Sequence, residues 1–240
     1  MTRFRHPGVP RRLLVRREVL TLLGASGLAL LARPKPATGA LTCVVRPRQT
    51  EGPFFVDEAL NRSDIRSDPR SGEARPGVAL RLRFQVSRLE ATACAPLSGA
   101  RIDVWHCDAE GRYSDVRGFG FGATSIGGPF LRGYQLTDAV GGAQFLTIYP
   151  GWYGGRAVHV HFKIRTRDAT GRPSDFTSQL YFDEAVTERV FASEAYARHG
   201  RRWLRNDQDG LYRDGGPNLL LAPQADADGY AATFNVALAA

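Results

Sequence analysis

Between Val158 and Ile164 apolar and polar residues alternate strictly, with Val158, Val160, Phe162 and Ile164 on one side and His159 and His161 on the other. A period of two is the repeat of a β-strand, whose successive side chains point to opposite faces. Such a strand has to bury its aliphatic face against a second layer, and it leaves two imidazoles side by side on the other. An H-x-H pair on a half-buried strand commonly just meets water. Its surroundings argue for more. The chain has only five histidines, and the turn ahead of the strand, Tyr149-Pro150-Gly151-Trp152-Tyr153-Gly154-Gly155-Arg156, delivers a phenol and a guanidinium into the same short segment. Two imidazoles that can chelate, next to a phenol, point to metal ligation.

Most of the chain past residue 41 has the same period. Val78, Leu80, Leu82, Phe84 and Val86 alternate with polar partners, Ile102 and Val104 continue the pattern, and Tyr230, Ala232, Phe234, Val236 and Leu238 form a last strand. Gly-Gly at 127–128 and 141–142, Asp-Gly at 209–210 and 228–229, and Pro-Gly at 76–77 and 150–151 supply the angles that tight connections need. One helix is predicted, from Asp183 to His199, with Gly200 as its stop. The expectation is an all-β, single-domain β-sandwich with one short helix and long loops.

Residues 1–40 stand apart. Arg16-Arg17 runs into an apolar stretch, Val19 to Ala32, which is too short to span a bilayer but has the size of a signal-peptide core. Cleavage near Ala40 would leave residues 41–240 as one domain. The protein is then expected to be periplasmic or secreted, carried by the twin-arginine translocase, with no stable membrane span once the signal is removed. Eight of the 32 Lys and Arg and one of the 24 Asp and Glu lie in residues 1–40, so residues 41–240 carry a net charge of only +1. Nucleic acid is therefore a poor partner for the folded part, since counter-ion release needs clustered surplus charge. Three cysteines in an exported chain suggest one disulfide, with Cys43 and Cys94 the favoured pair. Cys107, in Trp105-His106-Cys107-Asp108, is expected to pack as a buried thiol.

Upstream of the histidine strand, the stretch from Trp105 to Tyr113 ends a strand, turns at Gly111 and leaves Tyr113 on a loop. Here the chain resembles the intradiol ring-cleavage dioxygenases of the protocatechuate 3,4-dioxygenase-like group. The likeness rests on Thr50-Glu51-Gly52-Pro53-Phe54-Phe55, Arg62-Ser63-Asp64-Ile65-Arg66, the Trp-His-Cys-Asp stretch, Phe130-Leu131-Arg132-Gly133-Tyr134-Gln135 and the run from Tyr153 to His161, all in order. The resemblance implies one non-haem Fe(3+) per chain held by Tyr113, Tyr153, His159 and His161. Tyr113 would be the tyrosinate that stays bound and Tyr153 the one that leaves when a catechol arrives. Arg156 would stabilise charge developing on the ring, and Gln179 would orient it. Catechol and dioxygen would be the substrates and a cis,cis-muconate the product. Physical chemistry agrees: a phenol, with an ordinary pKa of about 10, ionises at neutral pH only beside a strong Lewis acid, and its hard oxygen suits a hard trivalent iron. The resemblance also selects Tyr153 over Tyr149, and makes Tyr134 a core or neighbouring aromatic. Phe54-Phe55 stand where relatives often carry tyrosine, and Gly154-Gly155 where proline is frequent.

Two other readings compete. His106, Asp108 and His159 could form the two-histidine, one-carboxylate triad of ferrous oxygenases. An exported sandwich could instead bind sugars or proteins without catalysis, using Trp152, Tyr153 and Trp203 as stacking surfaces. The identity of the catechol and the state of homo-oligomerisation stay open at this level.

Overall fold

The computed structural model describes residues 43–90, 93–116, 124–168, 170–202 and 204–239. The expected signal peptide and Trp203 lie outside them. The strands β1 (Ala79–Leu89), β2 (Cys94–Pro96) and β3 (Arg101–Trp105) lead to a small parallel ribbon of β4 (Arg112–Ser114) and β5 (Thr124–Ile126). Then follow β6 (Arg132–Leu136), β7 (Gly142–Ile148), β8 (His159–Arg167) and β9 (Pro173–Phe182). Three short helices, α1 (Glu184–Phe191), α2 (Glu194–Ala197) and α3 (Gly210–Arg213), precede β10 (Leu220–Leu221), β11 (Gln224–Asp226) and β12 (Gly229–Ala239).

Two five-stranded sheets form, in keeping with the all-β expectation. One runs β11-β12-β1-β2, with β7 also paired to β1; the other runs β10-β9-β8-β3-β6. β1 takes β12 as a parallel partner along its whole length and pairs β7 and β2 antiparallel. The alternation seen in the sequence becomes the core. Leu80, Leu82, Phe84 and Val86 of β1 are fully buried, as are Val160, Phe162 and Ile164 of β8. The Phe84 ring lies 5.2 Å from Phe162 and 6.1 Å from Phe145 and Phe234, so four rings from both sheets meet. Burying one such side chain contributes about 1.5–3 kcal/mol.

The single predicted helix is in fact two pieces. Asp183 caps α1, its Oδ1 accepting from the amides of Ala185 at 2.9 Å and Val186 at 3.1 Å. The run breaks at Ser193, whose hydroxyl donates to the Val190 carbonyl at 2.6 Å while its own backbone is extended and starts α2. Short polar side chains compete with the helix in this way. Gly200, at φ +78°, stops the second piece as expected. α3 was not anticipated, because the Asp209-Gly210 pair that begins it reads as a tight turn. Among the described residues no helix is long and apolar enough to cross a membrane.

Cys43 and Cys94 form a disulfide with a sequence separation of 51, and Cys107 is a buried free thiol. Closing a loop of that length contributes about 4 kcal/mol by restricting the unfolded chain. Reduction, or Cys94→Ser, should therefore lower the melting temperature by several degrees. An unchanged melting curve under strong reductant would show that the bond adds no stability.

Candidate metal centre

Strand register assembles the site. β8 pairs β3 and β9 so that Trp105, His161 and Gln179 form one cross-strand row and His159 stands opposite Tyr181. These side chains leave the face of the sheet opposite the core. Trp105 stacks flat on His161, with ring centroids 5.1 Å apart and an interplanar angle of 5°. Across this face runs the segment around Gly52 and Phe54. Gly52 adopts φ +71°, and a Cβ there would come within 3.2 Å of His161 Cε1, so only glycine fits without displacing the imidazole.

The two tyrosines, Tyr113 on β4 rather than on the expected loop and Tyr153 on the loop before β8, are carried by segments that touch backbone to backbone. A Cβ on Gly111, at φ +76°, would lie 2.1 Å from the carbonyl oxygen of Trp152. A Cβ on Gly151 would lie 2.5 Å from the carbonyls of Asp108 and Ala109. These glycines let the loop before β4 and the loop before β8 pack closely enough to bring Tyr113 and Tyr153 together. Their rings meet edge to face at 5.6 Å, and Phe54 stacks on Tyr113 at 4.4 Å. Tyr149 is excluded, being buried in the core with its hydroxyl bonded to Thr187 Oγ1 at 2.7 Å. Tyr134 lies under Arg101, whose guanidinium is 4.0 Å from its ring centroid.

Tyr113, Tyr153, His159 and His161 are all 5% exposed or less. His159 Nδ1 faces the carbonyl of Ala157 at 2.6 Å, so Nδ1 carries the proton and Nε2 presents a lone pair. Toward that one lone pair point Tyr153 Oη at 3.2 Å, His161 Nε2 at 3.0 Å and Arg156 Nη1 at 3.4 Å. Among the described residues the buried Tyr113 hydroxyl makes no well-formed hydrogen bond, its polar neighbour being Tyr153. Hydrogen bonding within the cluster thus satisfies it badly, and an unpaired buried hydroxyl costs about 1–3 kcal/mol. Burial pushes both phenols well above their usual pKa and both imidazoles well below theirs, with Arg156 adding to the effect on the histidines. The imidazoles are therefore neutral and ready to ligate, and the phenols await a cation strong enough to ionise them. Two nitrogens and two hard oxygens fit a trivalent metal ion.

The rival triad does not assemble. His106 is engaged by Thr147 Oγ1 at 2.7 Å and by the carbonyl of Cys107 at 2.8 Å. Asp108 pairs with Arg75 at 2.7 Å and Arg112 at 3.1 Å. Among the described residues, no group of three or more His, Cys, Asp or Glu is placed to hold a metal. The sugar-stacking surface also fails at Tyr153, which is buried, while Trp152 is half-buried with its ring centroid 4.3 Å from that of His199.

Arg156 is held at the edge of the cluster. Its Nε donates to Asp209 Oδ2 at 3.0 Å, and its Nη2 donates to Gln179 Oε1 at 2.6 Å and to the Tyr181 hydroxyl at 3.2 Å. Gln179 Nε2 in turn donates to the carbonyl of Thr50 at 3.0 Å. Arg156 thus comes to 3.4 Å from His159 Nε2 and is tied to Gln179, which pairs in register with His161, and it is no exposed edge residue. Sequence reasoning missed Trp105, Tyr181 and Asp209 as parts of the site. For the first two, the register of neighbouring strands was the missing information.

The dioxygenase family profile matches residues 50–201, more than half of the chain and the whole of the cluster. The chain belongs to the intradiol ring-cleavage dioxygenase family. Among solved structures, an intradiol ring-cleavage dioxygenase from Tetranychus urticae superposes with a TM-score of 0.67 at 27% identity, covering 81% of this chain and 94% of that one. The dioxygenase domain of a dioxygenase carbohydrate-binding protein fusion from Streptomyces sp. SirexAA-E gives 0.56 at 29% identity over 81% of this chain and 97% of that one. A catechol 1,2-dioxygenase from Pseudomonas sp. (strain EST1001) is 28% identical over 138 residues. That match takes in 49% of this chain and 42% of the Pseudomonas enzyme, so the chain spans less than half the length of that relative.

Proposed function

We propose that this protein cleaves a catechol-type diol between its hydroxyl-bearing carbons, using dioxygen and one ferric ion per chain, to give a cis,cis-muconate. The observation that carries the reading is that Tyr153 Oη and His161 Nε2 both lie within 3.2 Å of His159 Nε2, beside a buried Tyr113 hydroxyl with no well-formed hydrogen bond among the described residues. Tyr113, Tyr153, His159 and His161 would hold the ferric iron, which would supply the Lewis acidity that ionises the phenols and the diol.

The chain's own residues then divide the work. Tyr113 is stacked under Phe54 and fixed on strand β4, which suits a ligand that stays. Tyr153 lies on the glycine-rich loop within reach of His159, so it would be the ligand free to leave, and as a phenolate it would accept a proton from the substrate. Arg156 places a fixed positive charge where the ring becomes anionic. Phe54, Trp105, Cys107 and Val116 pack around the tyrosines as an apolar wall that excludes water.

The test is to load the protein with iron and follow ring loss across substituted catechols in air, identifying the muconate formed. Stoichiometric iron, a red-brown tyrosinate charge-transfer colour and turnover of at least one catechol are expected; a colourless protein that consumes none would overturn the proposal. The two tyrosines should separate by role. Tyr153→Phe keeps iron but docks catechol about tenfold or more slowly for want of the departing base, whereas Tyr113→Phe shifts the residual colour more severely. Normal anaerobic docking kinetics in Tyr153→Phe would reverse the assignment.

A further inference from the structure

Asp209 lies past residues 50–201, outside the segment that matches the family profile. Its carboxylate is 2% exposed and receives three hydrogen bonds. Oδ1 accepts from the amide of Leu211 at 2.8 Å, which is the ordinary capping bond at the start of α3. The other two have nothing to do with that helix. Oδ2 accepts both from Arg156 Nε at 3.0 Å and from the amide of Ala157 at 2.8 Å.

Those two donors belong to consecutive residues with different tasks. The Arg156 guanidinium, fixed at Nε, reaches Gln179 and Tyr181 with Nη2 and comes to 3.4 Å from His159 Nε2 with Nη1. Ala157, fixed at its amide, turns its carbonyl to His159 Nδ1 at 2.6 Å, and this contact decides which ring nitrogen keeps the proton. One carboxylate oxygen thus restrains both the cation beside the cluster and the tautomer of one imidazole in it. Charge-assisted bonds of this kind are short and directional, and a neutral cap would not replace them.

We propose that Asp209 is a positioning residue of the metal centre: it aims Arg156 at the reacting ring and, through Ala157, holds His159 with its Nε2 lone pair free for the metal. The part that concerns turnover rests on the ring-cleavage reading; the part that concerns the tautomer does not. Capping and positioning are separable by substitution. Asp209→Ser can still cap α3 but is too short to reach Arg156. Asp209→Asn matches the size and keeps one acceptor, yet presents an NH2 to one side or the other.

Two measurements test this. In the iron-free protein, long-range proton–nitrogen spectra of the imidazoles should show His159 as the Nδ1–H tautomer in the parent chain and as a mixture in Asp209→Ser. In the iron-loaded protein, both variants should lose about 10- to 100-fold in kcat, the range typical of groups that orient metal ligands, with KM changing much less; Asp209→Ser, which leaves the Arg156 guanidinium and the Ala157 amide short of an acceptor, should melt below the parent but stay folded. A parent-like tautomer and kcat in Asp209→Ser would overturn the proposal and leave Asp209 a helix cap. A tautomer shift in a protein that cleaves no catechol would sink the ring-cleavage reading while leaving the positioning role of Asp209 standing.

Discussion

His161→Ala is expected to leave a folded protein that retains essentially no iron. His161 contributes an Nε2 that lies 3.0 Å from the Nε2 of His159, and its ring is held flat against Trp105. With it gone, three donors remain and the nearest other histidine cannot stand in, because both nitrogens of His106 are engaged by Thr147 and Cys107. The loss should exceed the roughly 10- to 100-fold that follows from altering groups around a metal's ligands, since a ligand itself is removed. Iron content after desalting, read with the visible charge-transfer band, measures it. His161→Gln, which fills more of the space beside Trp105, serves as the control for packing. Full iron occupancy and colour in both variants would take His161 out of the site.

Arg156→Ala should bind catechol and turn it over slowly. An interaction made chiefly in the transition state appears in kcat rather than in binding. Losing one charge-directed donor of this kind costs on the order of 3 kcal/mol, roughly a hundredfold in rate. The anaerobic catechol-to-iron band should therefore still form, while consumption in air drops. Arg156→Lys should recover only part of the rate. An ammonium cannot repeat the fork that meets Asp209 through Nε and Gln179 through Nη2. Because the alanine variant strands the buried Asp209 carboxylate, its melting temperature has to be recorded beside the kinetics. Turnover in Arg156→Ala within a factor of about two of the parent would remove Arg156 from the reaction.

What was legible in the chain was local. The alternation around His159 and His161 gives a strand and two imidazoles on one face whatever the rest of the fold does, and β8 bears this out. Strands β1 and β12 were equally plain, because each carries a strict period of two with one aliphatic face. The preference for Tyr153 over Tyr149 came from the family likeness. Its physical reason is tertiary, since Tyr149 is sealed into the core by Thr187 and Phe182. His106 and Asp108 stood in the sequence as a rival pair of ligands, and only the fold shows them engaged by Thr147, Arg75 and Arg112. Asp209 carries the faintest signal of all. An Asp-Gly pair announces a turn, and nothing within reach of it in the sequence reveals that its carboxylate meets residues some fifty positions earlier.

The parallel pairing of β1 with β12 also bears on the order of events during synthesis. β1 begins at Ala79 and its partner at Gly229, so the middle of the first sheet cannot be completed until the last described strand has left the ribosome. Until then β1 shows an unpaired edge and Phe84 lacks the Phe234 ring, a condition in which nascent chains are prone to associate wrongly. The histidine strand is translated well before this and lies in the other sheet, but its aliphatic face rests on the layer that β12 completes. The sheet that carries His159 and His161 therefore gains its full apolar backing only once β12 is in place.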